Sequence, residues 1–155
     1  MRNYATQMDA ARQGMITPEM EAVAEKEYRT PEEIRDLVAK GQVAICANRL
    51  HTCLQPNGVG SMLRTKINVN LGVSQDCKDY EIEMRKVMAA VEMGAEAIMD
   101  LSSHGDTQPF RQKLIQECPA MIGTVPVYDS VIHYQRDLAT LTAKDFLDVI
   151  RLHAR

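Results

Sequence analysis

From Lys66 onward the chain alternates short runs of strand-like spacing with longer stretches of helical spacing. In residues 66–71, Lys66, Asn68 and Asn70 share one face while Ile67, Val69 and Leu71 share the other, the two-residue period of a strand. Residues 97–102 (Ala-Ile-Met-Asp-Leu-Ser) predict a second strand, with Met99 and Leu101 opposite Ile98, Asp100 and Ser102. Residues 121–128 predict a third, in which Thr124, Pro126 and Tyr128 share a face. Between them, residues 76–93 place Tyr80, Met84, Val87, Met88 and Val91 at helical spacing, with Gly94 as a terminating residue. Thr107 can cap a helix running to Glu117, which Cys118-Pro119 stops. A last helix begins at Thr142 and carries Phe146, Val149, Ile150 and His153.

The order βαβαβ followed by a helix is the opening of a parallel sheet. The predicted fold class is α/β: an N-terminal helical arm, then the first three βα units of a (β/α)8 barrel, which is incomplete at that point. The arm spans residues 1–41 and the partial barrel residues 42–155. Within the arm, Thr17-Pro18 and Thr30-Pro31 each place Thr at a helix N-cap and Pro at its first turn, and Glu33 completes a capping box with Thr30. Gly41 suits a left-handed position after the second helix, residues 42–47 read as a strand, and a turn-rich loop surrounds Pro56-Asn57-Gly58.

In a barrel of this kind the chemistry sits at the carboxyl ends of the strands, which selects Asn70, Ser102, Ser103, His104, Tyr128 and Asp129. Met99 and Asp100 compete for the inner face, since plain alternation presents only one of them unless a bulge presents both. Each of these residues also has an ordinary structural use, and spacing defines no Ser-His-Asp triad or acid pair, so the catalytic residues stay unknown. His51, in the loop after the first strand, is read as a hydrogen-bonded structural residue or a ligand.

Composition narrows the partners. The chain has 155 residues and a formal net charge of −3, which gives no reason to expect nucleic acid or an anionic membrane. No apolar run reaches the roughly 18 residues of a membrane span, and the N-terminus lacks a secretory h-region, so the expected location is the cytoplasm. Cys46, Cys53, Cys77 and Cys118 are scattered without a C-x-x-C pair, which predicts no metal site in these residues.

Several ordered motifs resemble one family. Thr6-Gln7-Met8, Gly14-Met15-Ile16-Thr17-Pro18-Glu19-Met20-Glu21, Thr65-Lys66-Ile67-Asn68-Val69-Asn70-Leu71-Gly72, the run from Met93 to Ser102 and the run from Ile122 to Tyr128 are similar to the thiamine pyrimidine synthase (phosphomethylpyrimidine synthase) family, N-terminal portion. The short arm looks more like its 5-hydroxybenzimidazole synthase branch, which serves cobamide biosynthesis. The resemblance implies a radical S-adenosylmethionine lyase that rearranges 5-aminoimidazole ribotide in a (β/α)8 barrel, using a [4Fe-4S] cluster and S-adenosylmethionine. It places substrate contacts on Asn70, Met99 and Tyr128, evenly spaced along the chain: an amide hydrogen-bonding the ribotide, an apolar or main-chain contact, and a phenolic contact.

The family's fourth strand, phosphate loops, metal-binding His positions and three-cysteine cluster motif have no counterpart here, and Cys46 stands where the family usually has Pro. The chain alone is therefore expected to be inactive. Three explanations stay open: a truncated or fragmentary lyase, one part of a split enzyme completed by another chain, or a non-catalytic ribotide-binding or assembly module. Open strand edges favour association, as a homo-oligomer or with a complementing chain.

Overall fold

The computed structural model describes residues 3–154. Contacts divide the chain into two compact units, one of residues 3–49 with Leu54–Lys66, the other of Leu50–Cys53 with residues 67–154. The division falls elsewhere than the 41/42 boundary read from the sequence, because the first strand folds with the helices before it.

The first unit contains α1 (Gln7–Arg12), α2 (Pro18–Glu27), α3 (Pro31–Ala39) and a small antiparallel pair, β1 (Val43–Ile45) with β2 (Gly58–Gly60). The caps form as their sequence predicts: Thr17 accepts from Met20 N–H, and Thr30 and Glu33 form a reciprocal capping box. Gly41 takes a left-handed φ of 71° after α3. Met20, Val23, Ile34, Leu37, Val38 and Val43 are among the residues that build the core. Gly60, at φ 148°, lets the backbones of β1 and β2 close up, since a Cβ there would lie 2.1 Å from the Gln42 carbonyl oxygen. Lys66 does not join the polar face of the following strand. Its ammonium lies 2.5 Å from the Glu27 carboxylate, with both side chains buried, and the Arg64 N–H donates to the same carboxylate. Burial alone would raise the Glu27 pKa, but Lys66 and these donors hold it below its ordinary value.

The second unit is a parallel three-stranded sheet in the order β3 (Asn68–Leu71), β4 (Ala97–Asp100), β5 (Met121–Thr124), with α4 (Tyr80–Glu92) and α5 (Gln108–Glu117) as crossovers. Asp79 caps α4, accepting from the N–H groups of Glu81 and Ile82. Val69, Ile98 and Ile122 stand in register and pack with Met84 and Val87 of α4 and with Phe110 and Leu114 of α5. After β5 come α6 (Pro126–Tyr134), a short 3-10 turn (Leu138–Thr140) and α7 (Ala143–His153), which starts at a Thr142–Asp145 capping box.

Two expectations are corrected here. The third strand ends at Thr124, four residues short of Tyr128, because Pro126 opens a helix at its first position and the chain continues helically to Tyr134. Thr107 sits at the N-cap of α5, but its hydroxyl makes no capping bond.

Candidate functional site

Pairing Asn70 with Met99 and Met99 with Gly123 aligns these three positions across the sheet. Parallel register puts them on one face, opposite the Val69–Ile98–Ile122 row that meets the helices. Asn68 and Asn70 are exposed there, and the Asn68 amide donates to Asn70 Oδ1 at 2.8 Å. Gly123 makes room for Met99, since a Cβ at that position would lie 2.7 Å from the methionine's terminal methyl. The competition between Met99 and Asp100 is thus resolved without a bulge: the β4 register is continuous, Met99 lies on the Asn70 face and Asp100 is buried on the helix side.

At the carboxyl ends of β3 and β4 the two chains brace each other. Gly72, at φ 143°, packs so tightly on the next strand that a Cβ would lie 2.5 Å from Ser102 N. The Ser102 hydroxyl donates to Asp100 Oδ1 at 2.5 Å and accepts from Val73 N–H at 3.2 Å, and Ser102 N–H donates to the same carboxylate oxygen at 2.9 Å. Burial pushes the Asp100 pKa up, and the Ser102 donors and the Arg111 charge only partly offset it. Gly72 N–H donates to Glu83, a fully buried carboxylate that also pairs with Lys86. The loop carrying exposed Ser103 and half-buried His104 is held by Tyr80, whose hydroxyl donates to the Asp106 carbonyl at 2.7 Å.

A second polar cluster lies at the end of β5. Asp129 accepts from Thr107 at 2.6 Å, pairs with Arg111 at 2.9 Å, and accepts from His153 Nε2 at 3.0 Å. A carboxylate cannot donate, so Nε2 carries a hydrogen. The other ring nitrogen, Nδ1, lies 2.9 Å from the Thr124 hydroxyl, which can donate or accept, so both contacts survive in either charge state of the ring. Burial works against ionisation of Asp129, but His153, Thr107 and Arg111 outweigh it and lower its pKa to about 2.

The predicted contact residues therefore occupy two settings. Asn70 and Met99 are neighbours in register, whereas Tyr128 stands half-exposed on the first turn of α6, next to the clamped Asp129. Asp129 and Ser102, selected as strand-end groups, hold the loops and helices at that end of the sheet together. Sequence reasoning missed Arg111, Thr107 and His153 as partners of Asp129. The spacing of Thr107 and Arg111, one helical turn apart, was the available signal. It also missed Gly123, whose meaning depends on register with Met99.

Among the described residues, no group of three or more His, Cys, Asp or Glu side chains could hold a metal ion, and no helix is long and apolar enough to cross a membrane. His51 is structural here, buried with its Nε2–H donating to the Cys118 carbonyl at 2.6 Å.

A parallel sheet built from βα units, with polar residues gathered at its carboxyl edge, defines an α/β protein. The chain matches the Radical SAM ThiC family over residues 6–155 and belongs to it. It is 57% identical over 152 residues to the phosphomethylpyrimidine synthase of Clostridioides difficile (strain 630), covering 98% of this chain and 35% of that protein. The phosphomethylpyrimidine synthases of Alkaliphilus metalliredigens (strain QYMF) and Clostridium novyi (strain NT) are 57% and 56% identical, each over 153 residues, 99% of this chain and 35% of theirs. The chain thus spans about a third of the length of these curated relatives.

Proposed function

We propose that this chain supplies the ribotide-binding opening of a phosphomethylpyrimidine synthase, an enzyme of thiamine pyrimidine synthesis that rearranges 5-aminoimidazole ribotide. The observation that carries the reading is the register of Asn70 with Met99 on the sheet face turned away from the helices, beside a rigid strand end. The Asn70 amide offers both a donor and an acceptor to a polar heterocycle or ribose, Met99 an apolar surface over Gly123, and Tyr128 a phenolic hydroxyl from α6.

In the complete enzyme a [4Fe-4S] cluster and S-adenosylmethionine would supply the radical chemistry. The described residues do not fit the cluster. Cys77 is engaged by Glu83, Cys53 contacts the Cys118 backbone, and no three ligands converge. The role argued for these residues is accordingly binding. β3 and β5 each have one neighbour in the sheet, and an apolar groove lined by Ile67, Val69, Leu71, Ala89 and Met93 runs beside β3. Further βα units, closing a (β/α)8 barrel, would pair those edges and cover that groove.

Titration calorimetry with 5-aminoimidazole ribotide tests the reading. Binding that weakens about tenfold or more in Asn70→Ala and in Tyr128→Phe supports it, on the scale of one lost buried hydrogen bond. A folded chain that binds no ribotide, or binds it equally well in both variants, overturns it. The thiamine and hydroxybenzimidazole branches share this substrate, so the titration addresses their common step.

A further inference from the structure

We propose that Cys53 and Cys118 are a dithiol that a low-molecular-weight disulfide converts to an intramolecular disulfide, fastening the segment Leu50–Cys53 to the junction of α5 and β5. That segment belongs to the second unit although the residues on either side of it belong to the first. Its attachment converges on one turn. The Cys53 thiol donates to the Cys118 carbonyl at 3.3 Å and to the Ile115 carbonyl at 3.5 Å, and His51 Nε2–H donates to the same Cys118 carbonyl at 2.6 Å.

The two sulfurs differ in access. Cys53 is half-buried, whereas Cys118 is fully buried at the end of α5. Burial pushes the Cys118 thiol up, the nearby Cys53 adds to that, and the Ala120 N–H directed at the Cys118 sulfur opposes it. This assigns the order of events. The Cys53 thiolate attacks one sulfur of the reagent disulfide, forming a mixed disulfide and releasing one thiolate. The Cys118 sulfur then attacks the Cys53 sulfur, its proton passing to the departing reagent thiolate as the mixed disulfide breaks, which releases the second thiol. Two protein thiols are oxidised to one disulfide, and one reagent disulfide is reduced to two thiols. The Cys53 sulfur lies against the Cys118 main chain and close enough for its charge to act on the Cys118 thiol, so the two thiols are neighbours on one turn. The other cysteines are placed differently: Cys77 donates to Glu83, and Cys46 lies in the first unit.

Incubating the reduced chain with oxidised glutathione, alkylating remaining thiols and mapping peptides by mass spectrometry tests this. The expected product is a Cys53–Cys118 linked peptide lacking two hydrogens, with a Tm several degrees higher that returns on reduction, because the link closes a long loop. Cys118→Ala should stop at the glutathione adduct on Cys53, and Cys53→Ser should leave Cys118 reduced. Should Cys118→Ala not fold, the wild-type map decides alone. A wild-type chain that keeps glutathione on Cys53 with Cys118 reduced, or that links only other cysteines or separate molecules, overturns the proposal.

Discussion

On one face of the β3–β4–β5 sheet Asn68 and Asn70 stand exposed and bond to each other, while on the other Asp100 lies buried under two hydrogen bonds from Ser102. Beyond β5 the buried layer continues, with Asp129 held by Thr107, Arg111 and His153. The exposed amides leave polar atoms open at little cost, because water satisfies them. The buried groups are costly to desolvate and justify that cost only by fixing their neighbours. One layer leaves polar groups open and the other fixes the backbone that carries them. Tyr128 joins the two, since it follows the backbone of the clamped first turn of α6.

This contrast can be broken most forcefully at Gly72. A Cβ there meets backbone rather than a movable side chain, and φ 143° is a conformation that L residues avoid. Gly72→Ala should therefore cost about 3 kcal/mol or more in urea unfolding. Next comes His153→Ala, which leaves Asp129 short of one partner and α7 without its tie to Thr124. A loss of about 2–3 kcal/mol is expected by the same measurement, as for other broken buried networks.

Acid titration sharpens the comparison within the buried layer, because its two aspartates have opposite signs. Asp129 is lowered from 3.8 to about 2, so it contributes roughly 2 kcal/mol that is fully present above pH 4 and is lost as pH falls from about 4 to 2. Asp100 is raised above 3.8, so its folded state favours the proton, and its cost at neutral pH is relieved as pH falls through its folded pKa. Asp129→Asn should flatten the acid limb of the stability curve, whereas Asp100→Asn should steepen it slightly; equal slopes in both would contradict the assignment. The smallest effect belongs to the open face. Asn70→Ala should change stability by no more than about 0.5 kcal/mol, as surface substitutions do, while weakening ribotide binding.

Much of this was legible in the chain itself wherever the signal is local. The Thr-Pro starts of α2 and α3, the capping box at Thr30 and the alternation across β3 and β4 are written in neighbouring residues and appear as read. The failures arise where distant residues decide. Val125-Pro126-Val127-Tyr128 has the branched and aromatic character of a strand, yet the proline starts a helix whose first turn is tied down by Thr107, Arg111 and His153. Lys66 continues the alternation of β3 in sequence, but Glu27 takes its ammonium out of that pattern. The candidate site followed the same rule: the resemblance singled out Asn70 and Met99 as contacts, whereas their pairing, the room Gly123 makes and the role of Arg111 depend on register and on contacts between separate elements.

The bracing between Gly72 and Ser102 has a consequence for solvent exchange. Gly72 N–H is bonded to Glu83, Val73 N–H to the Ser102 hydroxyl, Leu101 N–H to the Leu71 carbonyl, Ser102 N–H to Asp100 and Ser103 N–H to the Val73 carbonyl. Five loop amides, two after β3 and three after β4, thus have internal acceptors, and hydrogen–deuterium exchange should find them protected to nearly the same degree as the sheet. A ligand meeting this rim would find a surface already ordered, with little entropy left to lose on binding.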